Sequence, residues 1–156
     1  MNFIVKKFTQ LEAIKICSWK YEYPYDIYNF PSWEVVKNQK WAMSEPEKRN
    51  TQFHSVYSEN ELLGYFRIVD LKDYYMLGLG LKPEYCSKGY GSKLMKLILE
   101  YLSSINEKCC IHLEVREFNE RAIKCYERAG FVQKDKYVKE TLMGKDIFIL
   151  MEFNCS

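Results

Sequence analysis

The sequence predicts an α+β domain in which a central, mostly antiparallel mixed sheet is flanked by helices. Three observations support this fold class. Runs with the two-residue period of strands alternate with runs of helical period, a glycine-containing loop joins a strand to a helix, and the chain closes on a hairpin. Gly and Pro are sparse, with seven and four copies in 156 residues, and no internal repeat is present. We therefore predict one domain over residues 1–156, with the element order β-α-α-β-β-β-α-β-α-β-β.

The N-terminal part is predicted to hold one strand and two helices. Residues 2–7 have strand character, and Thr9-Gln10-Leu11-Glu12 has the capping-box spacing that opens a helix, here to about Trp19. A second helix is expected from after Ser32 to about Ala42. Between them lies an aromatic segment whose Pro and Asp residues argue against a regular strand; it contains Trp19, Tyr21, Tyr23, Tyr25, Tyr28, Phe30 and Trp33.

Three predicted strands occupy the middle of the chain. Residues 52–58 and 61–69 form a hairpin through Glu59-Asn60. Residues 74–81 form a third strand that carries Gly78 and Gly80 in its interior. Glycines inside a strand mark a bulge or the close approach of another backbone or a ligand.

The C-terminal half alternates helices and strands. The helix after the glycine loop has Leu94, Ile98 and Leu102 at helical spacing and ends near Ser103. A strand at residues 110–116 is followed by a helix at 119–129, which Gly130 stops. Residues 131–141 and 145–153 form the closing hairpin, with its turn at Met143-Gly144.

The loop Lys88-Gly89-Tyr90-Gly91-Ser92 lies where a strand turns into a helix. Backbone N–H groups at a helix N-terminus form an anion site that suits phosphate, and Lys88 adds positive charge. Glycines at such a junction also occur as simple turn formers. A nucleoside triphosphatase P-loop is absent, and Leu94 stands where a dinucleotide fingerprint needs its third Gly or Ala.

A second motif downstream makes the functional interpretation of the glycine loop more specific. Asn119, Ala122, Tyr126, Gly130 and Phe131 have the order and spacing of the second signature of the GCN5-related N-acetyltransferase (GNAT) family, which this part of the chain strongly resembles. The upstream loop resembles the same family's Gln/Arg-x-x-Gly-x-Gly/Ala motif. The two motifs span residues 75–131, and the flanking elements match the usual order of the GNAT acyl-CoA N-acyltransferase fold.

The resemblance has one departure in the loop. Cys86 stands where the family usually has Gln or Arg, and Ser87 occupies the next position, which is often Gly. The resemblance implies that backbone amides hold most of the pyrophosphate, with Lys88 as a compensating charge.

The resemblance implies a site for acetyl-CoA as cosubstrate, without a metal. The third strand, splayed from its neighbour, would offer the backbone of Leu79, Gly80 and Leu81 to the pantetheine amides, and an N–H near Leu79 would stabilise the oxyanion. Asn119 would cap its helix and contact the cofactor. The pyrophosphate would be held by Ser87, Lys88, Gly89, Tyr90, Gly91 and Ser92, and Tyr126 would also contact the cofactor.

The resemblance also implies two catalytic residues. Tyr126 would be the general acid that protonates the departing CoA thiolate, since a tyrosine hydroxyl with a reference pKa near 10 is protonated at neutral pH. Its periodicity also fits a core aromatic. The sequence around Glu114 is similar to that of the ribosomal-protein alanine N-acetyltransferases. This similarity implies that Glu114 is the general base, acting directly or through water. A solvated strand face is the alternative for Glu114, and His112 on the same face is expected to be structural or solvated.

Bulk properties narrow the partners. The net charge of +2, with mixed acidic and basic residues, indicates neither nucleic acid nor membrane as partner. We expect a cytoplasmic protein, a monomer or homodimer, whose six cysteines are reduced thiols without a zinc site.

The predicted reaction is direct attack of a primary amine, from a small molecule or a protein N-terminus, on acetyl-CoA. The aromatic segment is either an acceptor pocket or core. A non-catalytic acyl-CoA-binding sensor and an interaction module that uses exposed aromatics stay open.

Overall fold

The computed structural model describes residues 1–155, and seven strands form one mixed sheet in that part of the chain. The strands are β1 (Ile4–Lys7), β2 (Phe53–Ser58), β3 (Glu61–Asp70), β4 (Tyr75–Leu81), β5 (Ile111–Arg116), β6 (Val132–Thr141) and β7 (Gly144–Phe153). The α-helices are α1 (Gln10–Cys17), α2 (Trp33–Asn38), α3 (Pro46–Gln52), α4 (Tyr90–Ile105) and α5 (Glu120–Ala129). Short 3-10 helices lie at Tyr25–Tyr28, Ala42–Ser44 and Pro83–Tyr85.

The sheet order is β1-β2-β3-β4-β5-β7-β6. The β4–β5 pair is parallel, whereas β1–β2, β2–β3, β5–β7 and β6–β7 are antiparallel. This architecture confirms the predicted fold class. Contacts group the chain into two compact units: Met1–Arg67 with Leu79–Cys86, and Ile68–Gly78 with the chain from Ser87 onward. A single domain stays a prediction.

In the first unit, α1 begins as its sequence predicts. The side chain of Thr9 accepts from Leu11 N at 3.2 Å, while Thr9 N donates to Glu12 Oε1 at 2.7 Å. The backbone N–H of Glu12 also donates to the Thr9 side chain, and together with the bond from Thr9 N to the Glu12 carboxylate it forms the reciprocal pair of the capping box. The helix packs against the buried hydrophobic cluster of this unit, whose members include Phe8, Ala13, Ile16, Trp19, Val36, Met43 and Phe53.

Two details of the first unit differ from the prediction. Helix α2 ends at Asn38 because Lys40 is left-handed (φ 56°) and the N–H of Trp41 returns to Val36 O at 3.1 Å, which is a Schellman closure. A further helix, α3, precedes β2 and adds one element to the predicted order. Its sequence, Pro-Glu-Lys-Arg-Asn-Thr-Gln, has no apolar period, and Pro46 at its start is compatible with a helix N-terminus.

In the second unit, β5 pairs on both sides. It pairs in parallel with β4 from Tyr75↔Ile111 to Leu77↔Leu113, and in antiparallel fashion with β7 from Ile111↔Phe153 to Arg116↔Phe148. The pairing with β4 ends at Leu113 although β5 continues to Arg116, as the splayed-sheet prediction requires. Helix α4 buries Leu94, Met95, Ile98 and Leu102 on its apolar face.

The cysteines differ from the prediction. Cys110 and Cys155 form a disulfide, so the expectation that all six thiols are reduced is wrong for these two. Cys17, Cys86, Cys109 and Cys125 are free thiols. Within residues 1–155, no helix combines the length and apolar character that crossing a membrane requires.

Candidate active site

The glycine loop opens α4 without a side-chain cap in the described chain. Gly89 is the N-cap residue with φ 85°, and Ser87 is also left-handed with φ 60°. Left-handed residues next to a helix start turn backbone N–H groups into a concave anion site. A Cβ at Gly89 would meet no atom within 4 Å, so this position needs glycine for its backbone conformation and not for space. The loop therefore presents backbone N–H groups at the start of α4, and its binding of an anion stays a prediction.

A cation that the sequence did not single out lies beside this loop. Arg121, in the first turn of α5, donates from Nη1 to Ser87 Oγ at 3.0 Å. The second motif thus places a guanidinium against the loop of the first motif. Nothing in the local sequence distinguishes Arg121 from the other exposed cations of its helix.

Helices α4 and α5 enclose a groove of about 560 Å³ that begins at the loop. Ser92 Oγ lies 3.8 Å from Cys125 Sγ across this groove, and Lys96 and Arg128 supply positive charge. The remaining lining residues are Leu99, Glu100, Ser103 and Ala129. The two sequence motifs therefore meet in space within the second unit.

Helix α5 begins and ends as predicted. Asn119 is the N-cap, is largely buried, and accepts from Ala122 N at 3.3 Å. Gly130 ends the helix in the left-handed conformation with φ 111°. On this helix only Ile123 is buried, whereas Tyr126 is half-buried, with its ring centroid 6.2 Å from that of Phe131. Tyr126 is thus not a fully buried core aromatic, and its role as general acid stays a prediction.

Glu114 is not a solvated side chain. Its Oε2 accepts from the hydroxyl of Tyr137 at 2.7 Å, and its Oε1 pairs with the ammonium of Lys139 at 2.6 Å. The side chain is 19% exposed. Burial and the hydrogen bond to Glu114 raise the pKa of Tyr137, which keeps this hydroxyl a donor. The carboxylate is thus held in a fixed orientation and already binds one ammonium group.

The other polar residues of β5 have structural partners. Arg116 is buried and donates to Asp146 Oδ2 at 2.7 Å, a hydrogen bond that holds the pKa of Asp146 below its usual range. His112 stacks on Tyr74 with ring centroids 3.8 Å apart, and its Nε2 lies 3.5 Å from Glu152 Oε2. His112 therefore has neighbours on two sides, as a structural residue would.

Comparison with known proteins decides the family. Residues 13–131 match the model of the acetyltransferase (GNAT) family. This chain belongs to that family. The predicted enzyme class, an acetyl-CoA-dependent N-acetyltransferase, is thereby confirmed.

Solved structures agree with this acetyltransferase fold. A spermidine N-acetyltransferase chimera of the Vibrio cholerae enzyme and hSSAT has a TM-score of 0.79 at 18% identity, covering 98% of this chain and 95% of that one. The V. cholerae spermidine N-acetyltransferase in complex with CoA and spermine has a TM-score of 0.75 at 17% identity, covering 97% and 94%. The ribosomal-protein-S18-alanine N-acetyltransferase from Escherichia coli has a TM-score of 0.69 at 18% identity, covering 97% and 93%. At these identities the similarity establishes the fold.

In the first unit of the acetyltransferase, β4 ends with the segment predicted to bind pantetheine. A Cβ on Gly80 would lie 2.4 Å from Cε1 of Tyr65, so glycine is required there by the neighbouring ring. The carbonyl of Leu81 accepts from the hydroxyl of Tyr21 at 2.7 Å. One lone pair of this carbonyl is therefore engaged by the protein itself.

The aromatic segment is divided between core and surface. Trp19 is buried, with its ring centroid 6.3 Å from that of Tyr65, while Phe30 packs edge-on against Trp41 at 5.6 Å. Tyr23 is 88% exposed. Part of the aromatic segment thus belongs to the hydrophobic core, as the core interpretation predicts. Another part of the segment is exposed.

Proposed function

We propose that this acetyltransferase moves the acetyl group of acetyl-CoA to a primary amine by direct attack. The observation that carries the proposal is the uncapped start of α4, where left-handed Ser87 and Gly89 and the guanidinium of Arg121 surround one anion-binding loop. A CoA pyrophosphate carries the charge that such a loop selects.

For the cofactor, we assign the pyrophosphate to the backbone and side chains of residues 87–92, together with Arg121. Asn119 contacts the cofactor from the start of α5. Lys96 and Arg128 in the α4–α5 groove supply charge for the remaining phosphate of CoA. The backbone of residues 79–81 pairs with the pantetheine amides, and the N–H near Leu79 stabilises the oxyanion.

For the chemistry, Tyr126 acts as the general acid. The thiolate of CoA leaves as the tetrahedral intermediate collapses, and the phenol supplies its proton. The half-buried position of Tyr126, which leaves part of the residue exposed, supports this role.

Glu114 binds the incoming ammonium and removes its proton, directly or through water. The support is the ion pair that Glu114 already makes with Lys139: the carboxylate accepts a primary ammonium at 2.6 Å, and Tyr137 orients it. An acceptor amine takes the position that the Lys139 ammonium now occupies. Lys139 is about half exposed and is displaced at small cost.

We propose that the acceptor is a primary amine, either on a small molecule or at a protein N-terminus. The enzyme acts in the cytoplasm. Spermidine and alanine N-acetyltransferases among the similar folds support this class. A panel of polyamines, aminoglycosides and peptides is mixed with acetyl-CoA, and release of free thiol is followed. Turnover with at least one amine, dependent on Glu114, is expected.

The second candidate function is a non-catalytic acyl-CoA sensor. Two observations favour it: Cys86 replaces the usual Gln or Arg, and both oxygens of Glu114 are engaged. Calorimetric titration with CoA separates the outcomes. Tight binding without turnover on any amine supports the sensor, whereas no binding at all contradicts both functions and leaves an interaction module.

A further inference from the structure

Three groups that can ligate a metal converge at the edge of the sheet where β5 begins and β7 ends. A sulfur from Cys110, a ring nitrogen of His112 and a sulfur from Cys155 lie within 4.8 Å of one another, and all three residues are half-buried. Cys110 directly precedes β5, and Cys155 follows the end of β7, so the Ile111↔Phe153 pairing brings them together. None of these residues takes part in the acetyl transfer proposed above.

The imidazole in this cluster is held in place. The ring of Tyr74 stacks on the ring of His112 with an interplanar angle of 18°. Glu152 Oε2 lies 3.5 Å from Nε2 of His112. A carboxylate next to one ring nitrogen fixes the orientation of a metal-ligating histidine and raises its basicity. A disulfide between Cys110 and Cys155 needs neither of these neighbours.

We propose that the reduced protein binds one zinc ion through Cys110, His112 and Cys155. Two thiolates and one imidazole are the donor set that Zn²⁺ prefers, and water completes four-coordination. The disulfide of this structure is the oxidised, metal-free form of the same site. The zinc-bound form links residues 110 and 155 as the disulfide does, so the end of β7 is anchored in both redox states.

The two forms are related by a balanced exchange. A dithiol reductant breaks the S–S bond, gives two electrons and two protons to the cysteines, and becomes a cyclic disulfide itself. Zn²⁺ then displaces the two thiol protons as it binds. Reversible reduction of the Cys110–Cys155 disulfide would account both for the expectation of six thiols from the sequence and for the disulfide in this structure.

The test uses Co²⁺ as a spectroscopic probe for the zinc site. Full-length protein is reduced with dithiothreitol, freed of reductant without oxygen, and titrated with Co²⁺ and then with competing Zn²⁺. We expect a thiolate-to-cobalt charge-transfer band that saturates at one equivalent and that Zn²⁺ abolishes. Cys155→Ser and His112→Ala should each weaken the band or its affinity, and Glu152→Gln should weaken Zn²⁺ binding about 10- to 100-fold.

The control is Cys86→Ser, which removes a half-buried thiol outside the cluster and should leave the band unchanged. Circular dichroism of each variant shows whether it is folded. Reduced, folded wild-type protein without the band would overturn the proposal, as would a band that survives both Cys155→Ser and His112→Ala. The same holds if the oxidised protein binds Co²⁺ equally well.

Discussion

Replacing Arg121 by alanine removes the guanidinium that donates to Ser87 Oγ at 3.0 Å. The loop lacks the family's usual Gln or Arg because Cys86 takes that position, so Arg121 is expected to compensate together with Lys88. A hydrogen bond to a charged group contributes about 1.5–3 kcal/mol. Arg121 is exposed, so a hydrogen bond from its guanidinium to the pyrophosphate is screened by salt and is expected to contribute at the lower end of this range. We expect the Kd for CoA to rise roughly tenfold.

Isothermal titration calorimetry with CoA at low and high salt measures this effect. Lys108→Ala is the matched control, because it removes one positive charge from an exposed turn at the other end of α4. The Arg121→Ala penalty should shrink as salt rises, while the control stays near the wild-type Kd. An unchanged Kd in Arg121→Ala, or an equal loss in the control, would refute the assignment of Arg121 to the pyrophosphate.

Three further changes test separate parts of the structure. Gly80→Ala places a Cβ 2.4 Å from the Tyr65 ring and should lower the free energy of unfolding by about 1–3 kcal/mol; an unchanged urea midpoint would argue against this packing. Gly89→Ala forces a side chain into the left-handed region at φ 85° and should cost about 1–2 kcal/mol by the same measurement, so full stability would contradict the N-cap geometry. Lys139→Met releases the carboxylate of Glu114 and should lower the KM for the amine by about two- to fivefold, whereas a higher KM would mean that Lys139 assists acceptor binding.

The features that the sequence predicted correctly are local. The capping box at Thr9, the Asn119 N-cap and the Gly130 stop each depend on a few neighbouring residues and a backbone conformation that those residue types favour. The helical spacing of the apolar residues in α4 predicted which face of this helix is buried, because a helix repeats every 3.6 residues.

The features that the sequence did not predict depend on contacts between distant residues or on absent periodicity. Arg121 reaches Ser87 across 34 positions, and Cys110 pairs with Cys155 across 45. Helix α3 lacks an apolar stripe, so no hydrophobic period marks it. The partners of Glu114 come from β6, whose register against β7 sets which side chains reach it.

Tyr126→Phe removes only the hydroxyl and therefore tests whether Tyr126 is the general acid of acetyl transfer. Initial rates of thiol release are measured for wild type and variant with the best amine of the panel, beside the Kd of each for CoA. General acid catalysis contributes about 10²–10⁴-fold, so kcat should fall by at least about 100-fold while the Kd for CoA changes far less. A Tyr126→Phe variant that retains the full rate would show that Tyr126 is not the general acid.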